Sequence, residues 1–355
     1  MRFTRFRWSI VLPAALGVLG LAGCGQSAPT RHGNPTARAV VAHRPAAQPT
    51  TGALARWTAR VHVRGVVDLG APMRDGSMVV AARGHLQRLS SRAALTPFAP
   101  GYSAPPGLEP YIVRSQGVRA GGGRCSFAAD RTYALRLRGG DGVTVVTAGG
   151  AVRRFAALPS RGLENGIAFD QTGRFGHRLL TTTLVSGRTV LSAIDCRGRV
   201  RVVTAGAPRA EGGLAIAPAG FGRFGGDLIA PDELSGNLYA IAPDGRVAGV
   251  IPSGLPHGQD VGVESEGFVP RSFKDALVAD RHTPGNRHPG DDLILGVSRA
   301  ALQAAGVRPG DLLAVTEGGA ETIDIRCQAS CRVGDVAAGP GIAHIEGHVV
   351  FSGTI

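Results

Sequence analysis

The chain has 355 residues, of which 43% are hydrophobic, and this is enough to bury a core in one large domain or two small ones. Its 53 glycines and 23 prolines argue against a mostly helical protein and favour a turn-rich all-β fold. The formal net charge is +13, but no basic run is interleaved with aromatic residues, so we expect no nucleic-acid partner.

The N-terminus has the pattern of an export signal. Three arginines in the first seven residues precede the apolar stretch 8–23, whose 16 residues fall short of the roughly 20 that span a bilayer. The stretch ends in Leu-Ala-Gly-Cys at 21–24, which resembles the bacterial lipobox, where a signal peptidase cuts before the cysteine and the sulfur carries a diacylglyceryl group. We therefore predict a lipoprotein signal peptide at residues 1–23, lipidation at Cys24, and an extracytoplasmic protein anchored by its lipid to the bacterial cell membrane. A plain secretory signal or a signal anchor with an incidental cysteine is the alternative.

The segment after the predicted cleavage site, residues 24–60, is rich in Pro, Ala, Thr and Arg and has no hydrophobic period. Such a segment buries too little apolar surface to order itself, so we predict a lipidated, disordered tether. The folded domain is then expected at residues 61–355.

An internal repeat follows the predicted tether. The segment Glu164–Phe169 aligns with Glu211–Ile216 at an offset of 47 residues, and Gly198–Val200 aligns with Gly245–Val247 at the same offset. Each copy has four short β-like runs separated by Gly, Pro, Asp and Ser turn signals. Four strands in a period of about 40–50 residues are typical of a β-propeller blade.

Weaker copies of the repeat reach both ends of the predicted domain. Three β-like runs at 75–80, 85–89 and 94–98 lack a first strand, whereas the chain ends in an unpartnered run, His344–Ser352. We therefore predict that the C-terminal strand completes the N-terminal blade and closes the ring, which leaves no open edge.

A glutamate stands at the start of the predicted inner strand in five copies: Glu109, Glu164, Glu211, Glu266 and Glu346. Their spacings of 55, 47, 55 and 80 residues favour six blades, of which a sixth at about 310–338 lacks the glutamate. Five blades with one large insertion is the alternative count.

The inner strands of a propeller line its channel, so these carboxylates would converge near the axis. Several like charges at close range stay ionised only beside a cation, and oxygen ligands of this kind suit Ca²⁺ best. The alternative is that each glutamate caps a turn or pairs with one of the many arginines. Neighbouring residues on a strand face opposite ways, so only one of Glu164 and Asn165 can point to the axis.

The predicted closing strand carries His344, Glu346 and His348 at alternate positions, so that all three side chains would leave the same face. Two histidines and a carboxylate could hold a transition metal, but we favour histidines that are hydrogen-bonded in a polar channel. If Glu346 binds Ca²⁺, His344 or His348 becomes a candidate general base.

Four cysteines remain beyond Cys24, an even number in an oxidising compartment, and they predict two disulfides. Cys327 and Cys331 flank an expected β-turn and would lie close across a hairpin, which leaves Cys125 for Cys196 by elimination. The sequence does not decide this connectivity. A lone C-x-x-x-C without a second pair or spaced histidines is not a zinc pattern.

The blade pattern, the Glu109-Pro110 start and the segment Asn165-Gly166-Ile167-Ala168-Phe169 resemble the calcium-dependent six-bladed propellers of the gluconolactonase and paraoxonase group. The resemblance implies a metal in the channel and hydrolysis of lactones or esters. It places Glu109 and Asn165 at the positions of calcium ligands and Glu211 nearest to a further acidic residue. The second metal-binding asparagine of that group has no counterpart in this chain.

Two functions follow for the predicted domain. We favour a ligand-binding or scaffold propeller that holds Ca²⁺ in its channel and takes a small molecule or an envelope glycan or peptide. The alternative is a metal-dependent hydrolase of lactones or esters. An enzyme needs an open coordination position with a base within hydrogen-bond reach, whereas a structural site is fully coordinated and closed.

Overall fold

A computed structural model of the chain describes residues 53–105, 107–120, 125–137 and 140–353. The predicted signal peptide, Cys24 and residues 24–52 of the predicted tether lie outside these ranges. Within the described ranges, we find no helical segment with the length and hydrophobicity of a membrane span. The export signal and the lipid anchor therefore stay predictions.

The β-strands form six blades around a central channel. Two short strands come first in the chain, β1 (Ala55–Arg56) and β2 (Thr58–His62). They become edge strands of blades V and VI, which the C-terminal part of the chain forms. Blade I, from the channel outward, consists of β3 (Val66–Leu69), β4 (Met78–Ala82), β5 (His85–Leu89) and β6 (Leu95–Phe98). Blade II consists of β7 (Ile112–Arg114), β10 (Thr132–Leu137), β11 (Gly140–Val146) and β12 (Val152–Ala157). A separate hairpin of β8 (Arg119–Ala120) and β9 (Cys125–Ser126) is inserted between β7 and β10.

Blades III and IV also follow the order of the chain. Blade III consists of β13 (Leu163–Phe169), β14 (Leu179–Val185), β15 (Arg188–Ile194) and β16 (Val200–Ala207). Blade IV consists of β17 (Ala215–Ile216), β18 (Leu228–Asp232), β19 (Asn237–Ile241) and β20 (Val247–Pro252), with a 3₁₀ turn at Gly222–Phe224.

Blades V and VI are interlocked along the chain. Blade V consists of β21 (Val263–Phe268), β24 (Leu312–Thr316), β25 (Thr322–Cys327) and β26 (Cys331–Ala338), to which β1 adds a parallel edge. Blade VI consists of β27 (Ile345–Ser352), β22 (Asp275–Asp280), β23 (Leu293–Ser298) and β2. After β21, the inner strand of blade V, the chain forms the two middle strands of blade VI, β22 and β23. Helix α1 (Arg299–Ala304) then leads to β24, the second strand of blade V.

The six-bladed ring is confirmed, and so is its closure by the C-terminal strand. The inner strands β3, β7, β13, β17, β21 and β27 neighbour one another in this order and close back on β3. The strand β27 completes the blade that contains the N-terminal strand β2. It does not pair with the runs at 75–98, because the short apolar run Val66–Leu69 supplies blade I with an inner strand of its own.

Two predicted boundaries are wrong. Residues 310–338 are not a separate blade, because β24 pairs directly with β21, the strand of Glu266. The inner strand that lacks a glutamate is β3, which carries Asp68. The predicted tether also extends too far, because residues 55–60 enter β1 and β2. Trp57 between these strands is 3% exposed and donates its indole N–H to Thr322 at 2.8 Å.

Burial follows the position of a strand in its blade. All five residues of β4 are buried because this apolar strand is covered by neighbouring blades on both faces. In the outermost strand β16 one residue of eight is buried, and the others are half-buried or exposed. Between blades II and III an aromatic cluster fills the interface, with Phe127, Tyr133 and Phe169 in edge-to-face pairs whose ring centroids lie 5.0–5.5 Å apart.

Both predicted disulfides are confirmed. Cys125 in β9 is bonded to Cys196 in the turn after β15, and this bond ties the hairpin of blade II to blade III across a sequence separation of 71 residues. Cys327 and Cys331 are bonded across the end of the β25–β26 hairpin, at a sequence separation of 4. The elimination argument from the sequence therefore assigned both pairs correctly.

Candidate functional site

The side chain of His348, on β27, crosses the channel. Its Nδ1 lies 2.9 Å from Oδ2 of Asp68 on β3, and its Nε2 lies 2.8 Å from the carbonyl oxygen of Ile167 on β13, in the blade opposite its own. Asp68 is fully buried and also accepts the backbone N–H groups of Leu69, Ile112 and His348 at 2.8, 2.7 and 2.9 Å. Burial lowers the pKa of His348, but the carboxylate of Asp68 and the two ring hydrogen bonds outweigh it and raise the pKa above its ordinary value. Because both ring nitrogens face oxygen acceptors, each donates an N–H and the ring is a cation.

Tyr111, just before β7, crosses the channel beside His348. Its hydroxyl donates to Oε1 of Glu264 in the opposite blade V at 2.7 Å and lies 3.2 and 3.3 Å from carboxylate oxygens of Glu346 and Glu109. The rings of Tyr111 and His348 meet edge to face with their centroids 6.4 Å apart. Together the two side chains separate the two ends of the channel.

A group of glutamates, here called the acidic cluster, meets at the end of the channel where the inner strands begin. Its members come from the starts of the inner strands and from the residues that follow second strands: Glu109, Glu211, Glu233, Glu264, Glu317 and Glu346. Arg281 donates to Glu109 and, at 3.1 Å, to Glu346. Arg209 holds another pair in the same way, Glu211 and Glu233.

Electrostatics in the acidic cluster disfavour further negative charge. Burial, together with the charges of Glu346 and Glu233, raises the pKa of Glu317 to about 11. The charge of Glu346 and burial raise the pKa of Glu109 to about 7. Burial also holds the pKa of Glu264 well above its ordinary value. Two arginines do not balance this many carboxylates, so a bound cation would be stabilised here.

Three members of this region are arranged like a metal site. Ligand atoms of Glu317, His344 and Glu346 all lie within 4.8 Å of one another, and all three residues are buried. Nε2 of His344 lies 3.1 Å from Glu317 and 3.4 Å from Glu346. Oε2 of Glu317 and Nδ1 of His344 are buried without a hydrogen-bond partner in the described part of the chain. These donors fit a divalent cation, because carboxylate oxygens suit Ca²⁺ and the imidazole adds a ligand that transition metals accept.

Four of the residues singled out in the sequence lie apart from this arrangement. Glu164 is paired with Arg136, with Nη1 of the arginine 2.8 Å from the carboxylate, as the structural alternative expected. Asn165 donates from Nδ2 to the carbonyl of Ala210 at 2.8 Å and accepts the hydroxyl of Thr182 at 3.1 Å. Glu266 faces the opposite end of the channel, and His348 closes the channel between the two ends.

Two β-bulges interrupt the alternation of side chains between the two faces of a strand, and at these places the sequence predictions fail. In β13 the register shifts between Glu164 and Gly166. In β27 it shifts between Glu346 and Val350, and Gly347 in between has a φ of +70°, a left-handed conformation that favours glycine. His344 and Glu346 therefore meet Glu317, whereas His348 turns to Asp68. The three alternate side chains of the closing strand do not form one site.

Sequence reasoning missed several residues of the cluster, although two signals mark them. Glu264 stands two positions before Glu266 on β21, a spacing that suggests a shared face, although the strand has a bulge between Val263 and Ser265. Glu233, Arg281 and Glu317 each follow directly after a second strand, β18, β22 and β24. Second strands run antiparallel to inner strands, so their last residues reach the end of the channel where the inner strands begin.

No family model matches the chain, and no curated protein matches it. Among solved structures it is similar to a PQQ-bound aldose sugar dehydrogenase from Streptomyces coelicolor, with 15% identity over 86% of this chain and 90% of that chain and a TM-score of 0.47. It is also similar to a gluconolactonase from Xanthomonas campestris (14% identity, 64% and 70% covered, TM-score 0.40). A third similar structure is regucalcin, a calcium-binding protein from Agrobacterium tumefaciens (14% identity, 65% and 75% covered, TM-score 0.39). At these identities the likeness concerns the propeller fold and assigns no activity.

Proposed function

We propose that the protein is an extracytoplasmic, lipid-anchored propeller that binds Ca²⁺ in the acidic cluster and acts as a ligand-binding or scaffold module. The observation that carries the cation site is the convergence of Glu317, His344 and Glu346, whose ligand atoms lie within 4.8 Å of one another. The lipid anchor rests on the Leu-Ala-Gly-Cys sequence at 21–24.

The donor set favours Ca²⁺ over transition metals. Ca²⁺ takes about six to eight oxygen ligands in flexible geometry, and the acidic cluster offers carboxylates from four further inner and second strands around Glu317 and Glu346. His344 contributes the single nitrogen of the three-residue arrangement, and transition metals are held more often by several nitrogen or sulfur ligands. A bound cation would neutralise the carboxylates that burial otherwise keeps protonated.

Binding is favoured over catalysis by the state of His348. Both ring nitrogens of His348 face oxygen acceptors, so this side chain is unsuited to accept a proton. Tyr111 and His348 also close the channel beneath the acidic cluster, as in a structural site. Hydrolysis of lactones or esters is a second candidate on one observation, the unpartnered Nδ1 of His344 in the described chain. This nitrogen can act as a general base only if carboxylates alone hold the cation and His344 does not bind it.

Removal and replacement of metal test the cation site. We expect the full-length protein with Cys24→Ser to retain one Ca²⁺ after dialysis, measured by elemental analysis, and to melt at lower temperature in EDTA. Ca²⁺ at about 1,000 times its Kd would add about 4 kcal/mol to the free energy of unfolding. Glu317→Gln should abolish this increment without lowering the melting temperature in EDTA, because it removes a carboxyl group whose ionisation is disfavoured.

Glu321→Gln is the matched control, since it changes an exposed glutamate four positions further along the chain. It should keep the full Ca²⁺ increment. A wild-type melt that is the same in EDTA and Ca²⁺, with no metal retained, would overturn the cation site. Retention of Zn²⁺ or Mn²⁺ in preference to Ca²⁺ would overturn the choice of metal. A screen of lactones and esters against wild type and His344→Gln decides the second candidate.

A further inference from the structure

The end of the channel where the inner strands finish widens into a cavity of about 1270 Å³, which we call the funnel. Each inner strand contributes an apolar side chain to its wall: Leu69, Ile112, Phe169, Ile216, Phe268 and Val350. This volume exceeds the roughly 300–1,000 Å³ of pockets for drug-sized ligands. The funnel is separated from the acidic cluster by Tyr111 and His348, so it is a distinct site.

The mouth of the funnel is positively charged. Five arginines and two acidic residues line the funnel, and two of the arginines, Arg114 and Arg326, are neutralised by ion pairs with Asp130 and Asp311. The other three are exposed to solvent: Arg74, Arg271 and Arg308. Arg74 lies 3.8 Å from Asp130, and neither of the other two forms an ion pair with any described residue. An anionic group at the mouth would meet complementary charge.

The deep part of the funnel holds a buried polar atom that lacks a partner. Glu266 is 1% exposed and accepts the backbone N–H of Ala215 on Oε1 at 3.1 Å. Its Oε2 is buried and forms no hydrogen bond within the described ranges. A buried polar atom without a partner costs free energy, so a ligand group that hydrogen-bonds to it would be stabilised.

We propose that the funnel binds an anionic amphiphile with an apolar chain along the wall, an acidic head at Arg74, Arg271 and Arg308, and a hydrogen-bonding group at its inner end beside Glu266. A long-chain hydroxy acid is the simplest molecule with these features. The proposal does not depend on the cation site, because the residues of the two sites are different and face opposite ends of the channel.

The test is titration calorimetry on the full-length chain with Cys24→Ser, which carries no acyl group of its own. The probes are straight-chain fatty acids of graded length, the ω-hydroxy acids of the same lengths, and alkyltrimethylammonium salts. We expect the fatty acids to bind and the cationic alkyl salts not to bind. At the best length the ω-hydroxy acid should bind about tenfold more tightly than the plain acid, because its hydroxyl pairs with Glu266.

The variant Arg74→Gln/Arg271→Gln/Arg308→Gln should weaken binding of the acids at least about tenfold, since three charges that face the head are lost. Its matched control, Arg153→Gln/Arg154→Gln/Arg201→Gln, makes the same charge change at exposed positions on the outer strands β12 and β16 and should bind like wild type. Equal weakening in both variants, equal binding of cationic and anionic chains, or no binding of any chain would each overturn the proposal. Equal affinity for plain and ω-hydroxy acids at every length would overturn the role of Glu266.

Discussion

An Asp68→Asn variant is expected to lose about 3–5 kcal/mol of unfolding free energy, a cost typical of breaking a buried charge pair. The substitution leaves the cationic ring of His348 in the channel without its counter-ion. It also places an amide N–H₂ where the carboxylate accepts backbone N–H groups such as that of Ile112 at 2.7 Å, so at least one buried donor loses its acceptor. These contacts join blades I, II, III and VI, so the loss should be felt in unfolding of the whole ring.

Urea unfolding, followed by far-UV circular dichroism, measures this loss. Asp244→Asn serves as the control, because Asp244 is 67% exposed and its ion pair with Arg246 spans 3.9 Å. An exposed pair of this kind contributes at most about 1 kcal/mol. A loss for Asp68→Asn no larger than that of the control would show that the buried pair does not hold the ring together.

The difference in unfolding free energy between wild type and Asp68→Asn should also depend on pH. The pKa of His348 is raised in the folded protein above its ordinary value of 6.5. The charged pair therefore contributes fully below pH 6.5, and its contribution is lost as the pH rises through the raised folded value. Unfolding free energies measured at a series of pH values should show the gap between the two proteins narrowing toward alkaline pH; a gap that widens would contradict a cationic His348.

Removal of the Cys125–Cys196 disulfide is the other change with a large expected effect. In the chain-entropy view a cross-link stabilises by restricting the unfolded chain, and a loop of 71 residues corresponds to about 4 kcal/mol. The Cys327–Cys331 bond closes a separation of only 4 residues and corresponds to about 2 kcal/mol. We therefore expect Cys125→Ala/Cys196→Ala to be the more destabilised of the two double variants.

Melting in the presence and absence of a reductant measures both effects on one scale. The reductant should lower the melting temperature of wild type and of Cys327→Ala/Cys331→Ala strongly, and that of Cys125→Ala/Cys196→Ala only slightly. Equal losses in the two double variants would show that native contacts around the bonds, and not loop length, determine their contributions.

The repeat pattern of the sequence was sufficient for the fold class because it depends on local features. Turn residues and short apolar runs in Glu164–Val200 recur at an offset of about 47 residues in Glu211–Val247, and such a repeat specifies four-stranded units that must pack on one another. The interlocking of blades V and VI could not be read in this way. Strands β22 and β23 look like a continuation of the blade begun by β21, and only long-range pairing with β27 assigns them to blade VI.

In the candidate site, too, some side chains could be identified from local sequence position and others only from contacts between blades. Glu109, Glu211 and Glu346 were identified from their place at strand starts, and His344 from its alternation with Glu346 on the closing strand. The structure brings all four to one end of the channel. Glu164 was not separable from them by position, because its bulge arises in the pairing with β14 and its contact with Arg136 depends on the neighbouring blade II.

By itself, the sequence determined that this chain forms a β-propeller, that its cysteines beyond Cys24 are enough for two disulfides, and that glutamates stand where inner strands begin, because period, cysteine number and strand position are properties of the chain alone. The tertiary structure alone decided which carboxylates share a site, that His348 is engaged by Asp68, and that the other end of the channel is an arginine-rimmed funnel. Those outcomes depend on bulges and on contacts across the ring, where residues distant in sequence compete for the same few hydrogen-bond partners.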